Sequence, residues 1–346
     1  MKSLKFLVFF AFIFISLTGC SNILYISKLG WHQGFISYYS VPLEEVLKDE
    51  GTATQCKEKI HFIEEVKEYG EKVLGLRETK NYTKFFETKG PVLYVVTAAE
   101  KDRLQLHSWK FPIIGKVTYK SFFNKEAVLE EEQSLEKKGL DTFIQRAAAY
   151  STLGWLKDPI FSSMMEWNHV ALANVILHEM VHATVYFKGE TDFNEQLATF
   201  VGNRGAIDFL IEKYGAGSRE VAEAIYTQED DLLFSKWVDQ VCQQLSIYYA
   251  KGISREDKLR GREEIFQSIK EDFRGVKVQF KTDGYKDFEK KDLNNAVLLA
   301  YHRYIHSLEN FETLYENMGK DLRKVVEYFR RLQGSGSKSV AVSFVK

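Results

Sequence analysis

Proline and cysteine are scarce in this chain, and each scarcity excludes something. Four prolines in 346 residues leave little to interrupt long helices. Three cysteines, with no CxxC pair among them, exclude a cysteine-built metal site and a small disulfide-stapled scaffold. No long basic run interleaved with aromatics occurs, and 47 basic residues stand against 48 acidic ones, so nothing marks a nucleic-acid-binding surface. No apolar run approaches the roughly 20 residues that span a bilayer. Internal repeats and low-complexity linkers are missing as well. What is present is apolar and aromatic mass, 45% and 14% of the residues, enough for a large core. One large domain is the simplest organisation.

The amino terminus reads as a secretory signal. "MKSLK" supplies the charge, "FLVFFAFIFISL" is apolar but too short to remain as an anchor, and small residues follow. Thr18-Gly19 before Cys20 resembles the lipobox of bacterial lipoproteins. That resemblance implies a signal peptide over residues 1–19, cleavage before Cys20, and acylation of the Cys20 thiol and of the new amino group. The mature protein is then expected to be exported and lipid-anchored to the bacterial cell envelope, since two or three acyl chains hold a protein stably where one does not. Ser21 favours the periplasmic face of the outer membrane over the inner membrane. Cys56 and Cys242 remain in the mature chain, and the exported setting permits either a disulfide between them or two free thiols.

Periodicity predicts a mainly helical α+β protein. Residues 55–78 carry apolar positions at helical spacing. "GPVLYVVTAA" (90–99), "LQLHSWKFP" (104–112) and "GKVTYK" (115–120) are short, β-branched or aromatic, and bounded by Gly or Pro, as strands of a small sheet are. A charged helix is expected at 123–138 with Gly139 as its cap, then a strand over 141–155 and a turn at Asp158-Pro159. Further helices are expected at 168–188, 192–214, 218–251, 254–273, 293–318 and 320–333. The tail from Gly334 stands apart from the domain, 20–333.

Within "NVILHEMVHATVYF" (174–187), His178 and His182 lie four apart, so on a helix they share one face. Two neutral imidazoles at that separation can hold one zinc ion. Glu179, beside the first, is placed to take a proton from an attacking water. Two core histidines on a helix would give the same letters, so a second feature decides. A catalytic zinc site needs a third protein ligand and one open position. Glu195 in "ETDFNEQLATF" (190–200) opens the next predicted helix, which a turn at "FKGETD" would fold back, with Ala198 small enough for close approach. The competing role for Glu195 is a capping-box acid answering Asp192.

The pair HExxH and NExxA resembles the gluzincin type of zinc peptidase. More closely, the chain resembles a family of bacterial lipoproteins regarded as aminopeptidases. The matching stretches are "TGC" (18–20), "WKFPIIGKVTYKSFF" (109–123), "AYSTLGWLKDPI" (149–160), "LANVILHEMVHATVYFKGETDFNEQLATFV" (172–201) and "LNNAVLLAYHRY" (293–304). The resemblance implies a zincin-like helix pair beside a small sheet, Zn2+ held by His178, His182 and Glu195, Glu179 as general base, and a peptide substrate. It also implies Tyr304, at its spacing after "NNA", as the donor to the oxyanion; Tyr301, Tyr186, His302 and His306 compete for that role. "HATVYF" and "VGNRGA" depart from the family pattern. "AYSTLGW" would be either an edge strand pairing with substrate or an interior strand.

Two function classes follow. One is a membrane-anchored zinc metallopeptidase, which the resemblance makes an aminopeptidase. The other is a non-catalytic, metal-binding envelope lipoprotein acting as a binding or assembly factor. The intact Glu179 favours the enzyme, because a dead site is free to lose its base.

Overall fold

The computed structural model describes residues 20–88, 90, 92–111, 115–147 and 157–335. They divide into two compact units, one ending at Ser40 and the other beginning at Val41. The first contains helix α1 (Cys20–Tyr39), on which Trp31, Tyr38 and Tyr39 are exposed. No helix among the described residues is long and apolar enough to cross a membrane.

The second unit is mainly helical with small sheets. Strand β1 (Val41–Pro42) leads into α2 (Leu43–Lys48) and α3 (Thr54–Lys72). Next come β2 (Lys84–Phe86), β3 (Leu93–Glu100), β4 (Trp109–Phe111), β5 (Gly115–Val117) and β6 (Tyr119–Phe122). Helix α4 (Lys125–Lys137) follows, then β7 (Leu140–Ala147) and β8 (Ile160–Phe161). The rest is helical: α5 (His169–Thr184), α6 (Thr191–Tyr214), α7 (Arg219–Tyr249), α8 (Arg255–Lys277), α9 (Asn295–Ile305), α10 (Leu308–Asn317) and α11 (Leu322–Gly334). Helix starts are written in the sequence. Asn124, Asn168, Ser218, Ser254, Asn294 and Asp321 each accept a backbone N–H of the first turn from the N-cap position. Gly139, at φ +78°, follows α4 as expected.

The larger sheet is antiparallel in the order β6-β3-β7, with Val96 opposite Lys120 on one side and Ile144 on the other. Alternation along β3 separates its faces. Val96 and Ala98 pack with Val128 and Leu135 of α4, whereas Ala99 packs with Ala296 and Leu299 of α9. A second sheet, β1-β2-β8, joins β2 and β8 in parallel, and β4 pairs with β5 as a separate antiparallel ribbon. Buried Arg262 of α8 makes two hydrogen bonds to Asp141 of β7, tying the helices to the larger sheet. Phe234, Phe273 and Phe288 fill an aromatic core, each worth about 1.5–3 kcal/mol of burial.

Several boundaries differ from the sequence expectation. The helix expected over 55–78 stops at Lys72, because the chain turns at Gly75 to bury Leu74 and Leu76. The helix expected over 293–318 is two helices. Ser307 adopts a left-handed backbone, φ 60°, and the turn lets α10 bury Phe311 against Phe193 and Phe200 of α6. Helix α5 ends at Thr184, so Tyr186 leaves from extended chain and does not continue the His178–His182 face. Asp158-Pro159 runs into β8 without a turn; the Asp158 carbonyl accepts Tyr82 N and its N–H donates to Asn81 Oδ1. The strand expected over 141–155 is seen as β7 to Ala147, and "AYSTLGW" lies outside the described residues, as do residues 1–19 and the tail after Ser335. Cys56 and Cys242 are free, the latter with its thiol pushed up to about 12 by burial.

Candidate metal centre

Helix α5 is apolar on most sides. Ile176, Leu177, Met180 and Val181 are buried, so the helix is enclosed and its polar residues must be satisfied by protein. His178 and His182 leave it one turn apart, with their Nε2 atoms turned to one point and 3.1 Å from each other. Helix α6 returns along α5 and delivers Glu195, whose Oε2 lies 3.4 Å from His178 Nε2 and 3.6 Å from His182 Nε2. The three side chains are only 13%, 7% and 9% exposed.

The residue before Glu195 sets that aim. Asn194 Oδ1 accepts Phe187 N at 2.8 Å, and Asn194 Nδ2 donates to Phe187 O at 2.9 Å. This two-bond clamp closes the turn between the helices, and the next residue along α6 then faces α5. The capping role considered for Glu195 does not arise: the N-cap of α6 is Glu190, no side chain caps it, and Glu195 lies in the second turn.

The donor set suits zinc. Zn–N and Zn–O bonds of about 2.0–2.1 Å place tetrahedral ligand atoms about 3.3 Å apart. The three separations, 3.1, 3.4 and 3.6 Å, bracket that value. Two imidazoles and one carboxylate also leave a fourth corner open. His182 Nδ1 has no hydrogen-bond partner among the described residues, so the ring's polar contacts lie on its Nε2 side.

Electrostatics divide the two carboxylates. Burial alone would raise Glu195, but the charge of His182 and hydrogen bonds to both histidines hold it well below the usual carboxylate range. Burial likewise lowers His182, and attraction to Glu195 overcomes this to leave it raised. Glu179 goes the other way: burial pushes its carboxyl up, outweighing the pull of the two histidines, and Glu195 adds to the rise. One acid is held ionised and the other is biased toward carrying a proton, the division an acid–base site needs.

Four tyrosines respond to these carboxylates. Tyr304 of α9 is partly exposed, and burial together with Glu195 and Glu179 raises its phenol well above the ordinary range. Tyr186 is raised by burial and Glu195. Sequence reasoning gave no role to the other two. Tyr119 of β6 is raised by burial, Glu195 and Tyr304; it lies in the quoted stretch "GKVTYK", where it reads as one more strand aromatic. Tyr82 is raised by burial and Glu179, and its φ of 58° is left-handed, uncommon for a bulky residue. Only the backbone marks that position. Tyr301, by contrast, packs against Phe234 and Phe288, and His302 and His306 pair with Asp239 of α7.

Residues 24–340 match the family described as "Putative aminopeptidase". The chain belongs to this family. The match takes in both helices of the His178–Glu195 centre, β6 with Tyr119 and α9 with Tyr304, so the family's description reaches every element that builds the site. No curated protein and no solved structure matches the chain. The family's description points to a peptidase.

Proposed function

We propose that the protein is a zinc metallopeptidase, held to the cell envelope by a lipid on Cys20, that hydrolyses peptide bonds as an aminopeptidase. The observation that carries this reading is the convergence of His178 Nε2, His182 Nε2 and Glu195 Oε2 beside a second carboxyl, Glu179, whose proton affinity is raised by burial. A zinc ion bound there would polarise the scissile carbonyl and make an attacking water more acidic. Glu179 accepts that water's proton and returns it to the leaving amine. The phenol of Tyr304, kept protonated by its raised pKa, donates a hydrogen bond to the oxyanion formed on the attacked carbonyl.

The alternative, a metal-binding envelope lipoprotein without catalysis, keeps the same ligands and gives Glu179 no task. A half-buried, desolvated carboxyl beside two metal ligands is costly to retain without one, which favours the enzyme.

The test is turnover of short peptides and amino-acid amides by the full chain, with zinc measured on the same samples. Glu179→Gln should keep zinc and lose ~10²–10⁴-fold in rate, and His178→Ala should lose metal and activity together. Near wild-type turnover by Glu179→Gln with zinc bound would sink the mechanism. Cys20→Ala should move the chain out of the membrane fraction with its zinc content unaltered; full membrane retention would place the anchor elsewhere.

A further inference from the structure

A second set of converging ligand atoms lies where α9 ends. His302 and His306 are four apart, as His178 and His182 are, and their rings stack at 4.1 Å with an angle of 16° between planes. Asp239 of α7 faces both. Its Oδ1 lies 2.8 Å from His306 Nδ1 and 3.3 Å from His302 Nε2, and the three ligand atoms fall within 4.8 Å of one another.

A bound cation takes both stacked rings neutral and the carboxylate ionised, so one acid facing two imidazoles is a donor set an ion can use. The His302–Asp239 separation equals the roughly 3.3 Å between ligand atoms of a tetrahedral zinc-sized ion, and the 2.8 Å between His306 and Asp239 would open by about half an ångström to admit one. Two imidazoles and one carboxylate are borderline donors that favour divalent first-row transition ions over calcium or magnesium. All three side chains are partly exposed, 24%, 28% and 37%, so an ion has a path in and water can fill its remaining positions. The residue after the first histidine is Arg303, where the other pair has Glu179. Arg303 is buried and hydrogen-bonded to Thr97 and Thr118, so this cluster has no adjacent base. Its chemistry is binding alone.

We propose that Asp239, His302 and His306 form a second divalent-metal site that ties the end of α9 to α7. The tie falls where α9 needs one. Ile305 O already accepts Ser235 Oγ of α7 at 2.6 Å, the chain breaks at Ser307 in a left-handed turn, and Tyr304 lies between the two histidines in sequence, on the opposite face of the helix. An ion there fixes the helix end that carries Tyr304.

The experiment is zinc titration of the metal-stripped full chain, followed by elemental analysis after gel filtration. Wild type, His178→Ala, His306→Gln and Asp239→Asn are compared, with circular dichroism to confirm folding. His306→Gln and Asp239→Asn each lie at the partly exposed cluster and should each remove one equivalent, or weaken it ~10-fold or more, while the other equivalent stays. His178→Ala should retain the equivalent that these two variants lose. Copper(II) bound to His178→Ala should show two-nitrogen hyperfine coupling that falls to one nitrogen when His306→Gln is added. If folded His306→Gln and Asp239→Asn both keep wild-type stoichiometry and affinity, the second site is overturned, whatever becomes of the first. If folded His178→Ala loses no equivalent, the peptidase centre is in question and the second site stands; if it loses both equivalents, the second site is overturned as an independent one.

Discussion

Gly202 of α6 sits directly against His178 of α5. A methyl group at Gly202 would stand 3.3 Å from His178 Cβ and 3.0 Å from the carbonyl oxygen of Asn174. Gly205, one turn on, is as tight: its methyl would meet Leu177 Cδ1 at 2.9 Å and Leu74 Cδ1 at 3.0 Å. With Ala198 fully buried one turn before, small residues let α6 lie close enough to α5 for Glu195 to reach both histidines.

Gly202→Ala sets helix propensity against that contact. Alanine gains about 1 kcal/mol in an open helix interior, but here the new methyl meets a backbone carbonyl that cannot swing aside, and overpacking costs about 1–3 kcal/mol. The variant should be less stable than wild type and bind zinc more weakly. Thermal melts with and without zinc, with a competitive chelator titration, measure both; unchanged affinity would show that the helix spacing has slack.

Asn194→Ala removes the clamp on Phe187. Two buried hydrogen bonds are lost and the Phe187 N–H is left without its acceptor, for a cost of about 2–3 kcal/mol. Zinc affinity should fall by ~10-fold or more, as it does when groups that orient a ligand are removed. Denaturant unfolding and zinc competition on the same preparation separate the two effects.

Tyr304→Phe and Tyr119→Phe rank the phenols. Loss of the oxyanion donor should cost ~10²–10³-fold in kcat, with zinc content and melting temperature held. That loss is expected for Tyr304 and less than about tenfold for Tyr119. The reverse order would transfer the donor role to β6.

Behind His178, a row of polar groups crosses three helices. Asn174 bonds Asn203, Asn203 Nδ2 donates to Asp231 Oδ2 at 2.9 Å, and Tyr285 Oη donates to Asp231 Oδ1 at 2.6 Å. Burial raises Asp231 from 3.8 to about 6 against those two hydrogen bonds, with Asp230 adding to the rise. The folded protein therefore binds this proton more tightly than the unfolded chain does. Its contribution to stability is complete below the unfolded value and lost as pH climbs through about 6. Relative to Asp231→Asn, wild type should lose about 2–3 kcal/mol between about pH 4 and 6.5 and little more above. Denaturant midpoints of the two proteins across that interval test the sign as well as the size.

The legible parts of this molecule are those whose signals are local. The apolar flanks of "NVILHEMVHA" and the four-residue histidine spacing place both rings on one helical face, and "FKGETD" places the return. The β-branched runs around 90–120 mark the sheet. The break at Ser307 was not legible, because nothing in "YIHSLEN" forbids a continuous helix; Phe311 reaching Phe193 and Phe200 decides it from the other side of the chain. "VGNRGA" reads in the sequence as a departure from a family pattern, and only helix packing shows that its two glycines are spacing. Tyr82 carries no periodicity at all. Its left-handed turn is held by the contacts of Asn81 and Tyr82 with Asp158, and its phenol feels the charge of Glu179.

The placement of the proposed ligands also bears on the order of assembly. His178, His182 and Glu195 come from consecutive helices joined by one clamped turn, so the loop closed to bring them together is short and cheap in entropy. Tyr304 arrives only when α9, far along the chain, docks on β3 and α6, and contacts so distant in sequence form slowly. A nascent chain would thus have His178, His182 and Glu195 together before Tyr304 joins them. Late docking of α9 would keep the centre incomplete until the surrounding fold has closed.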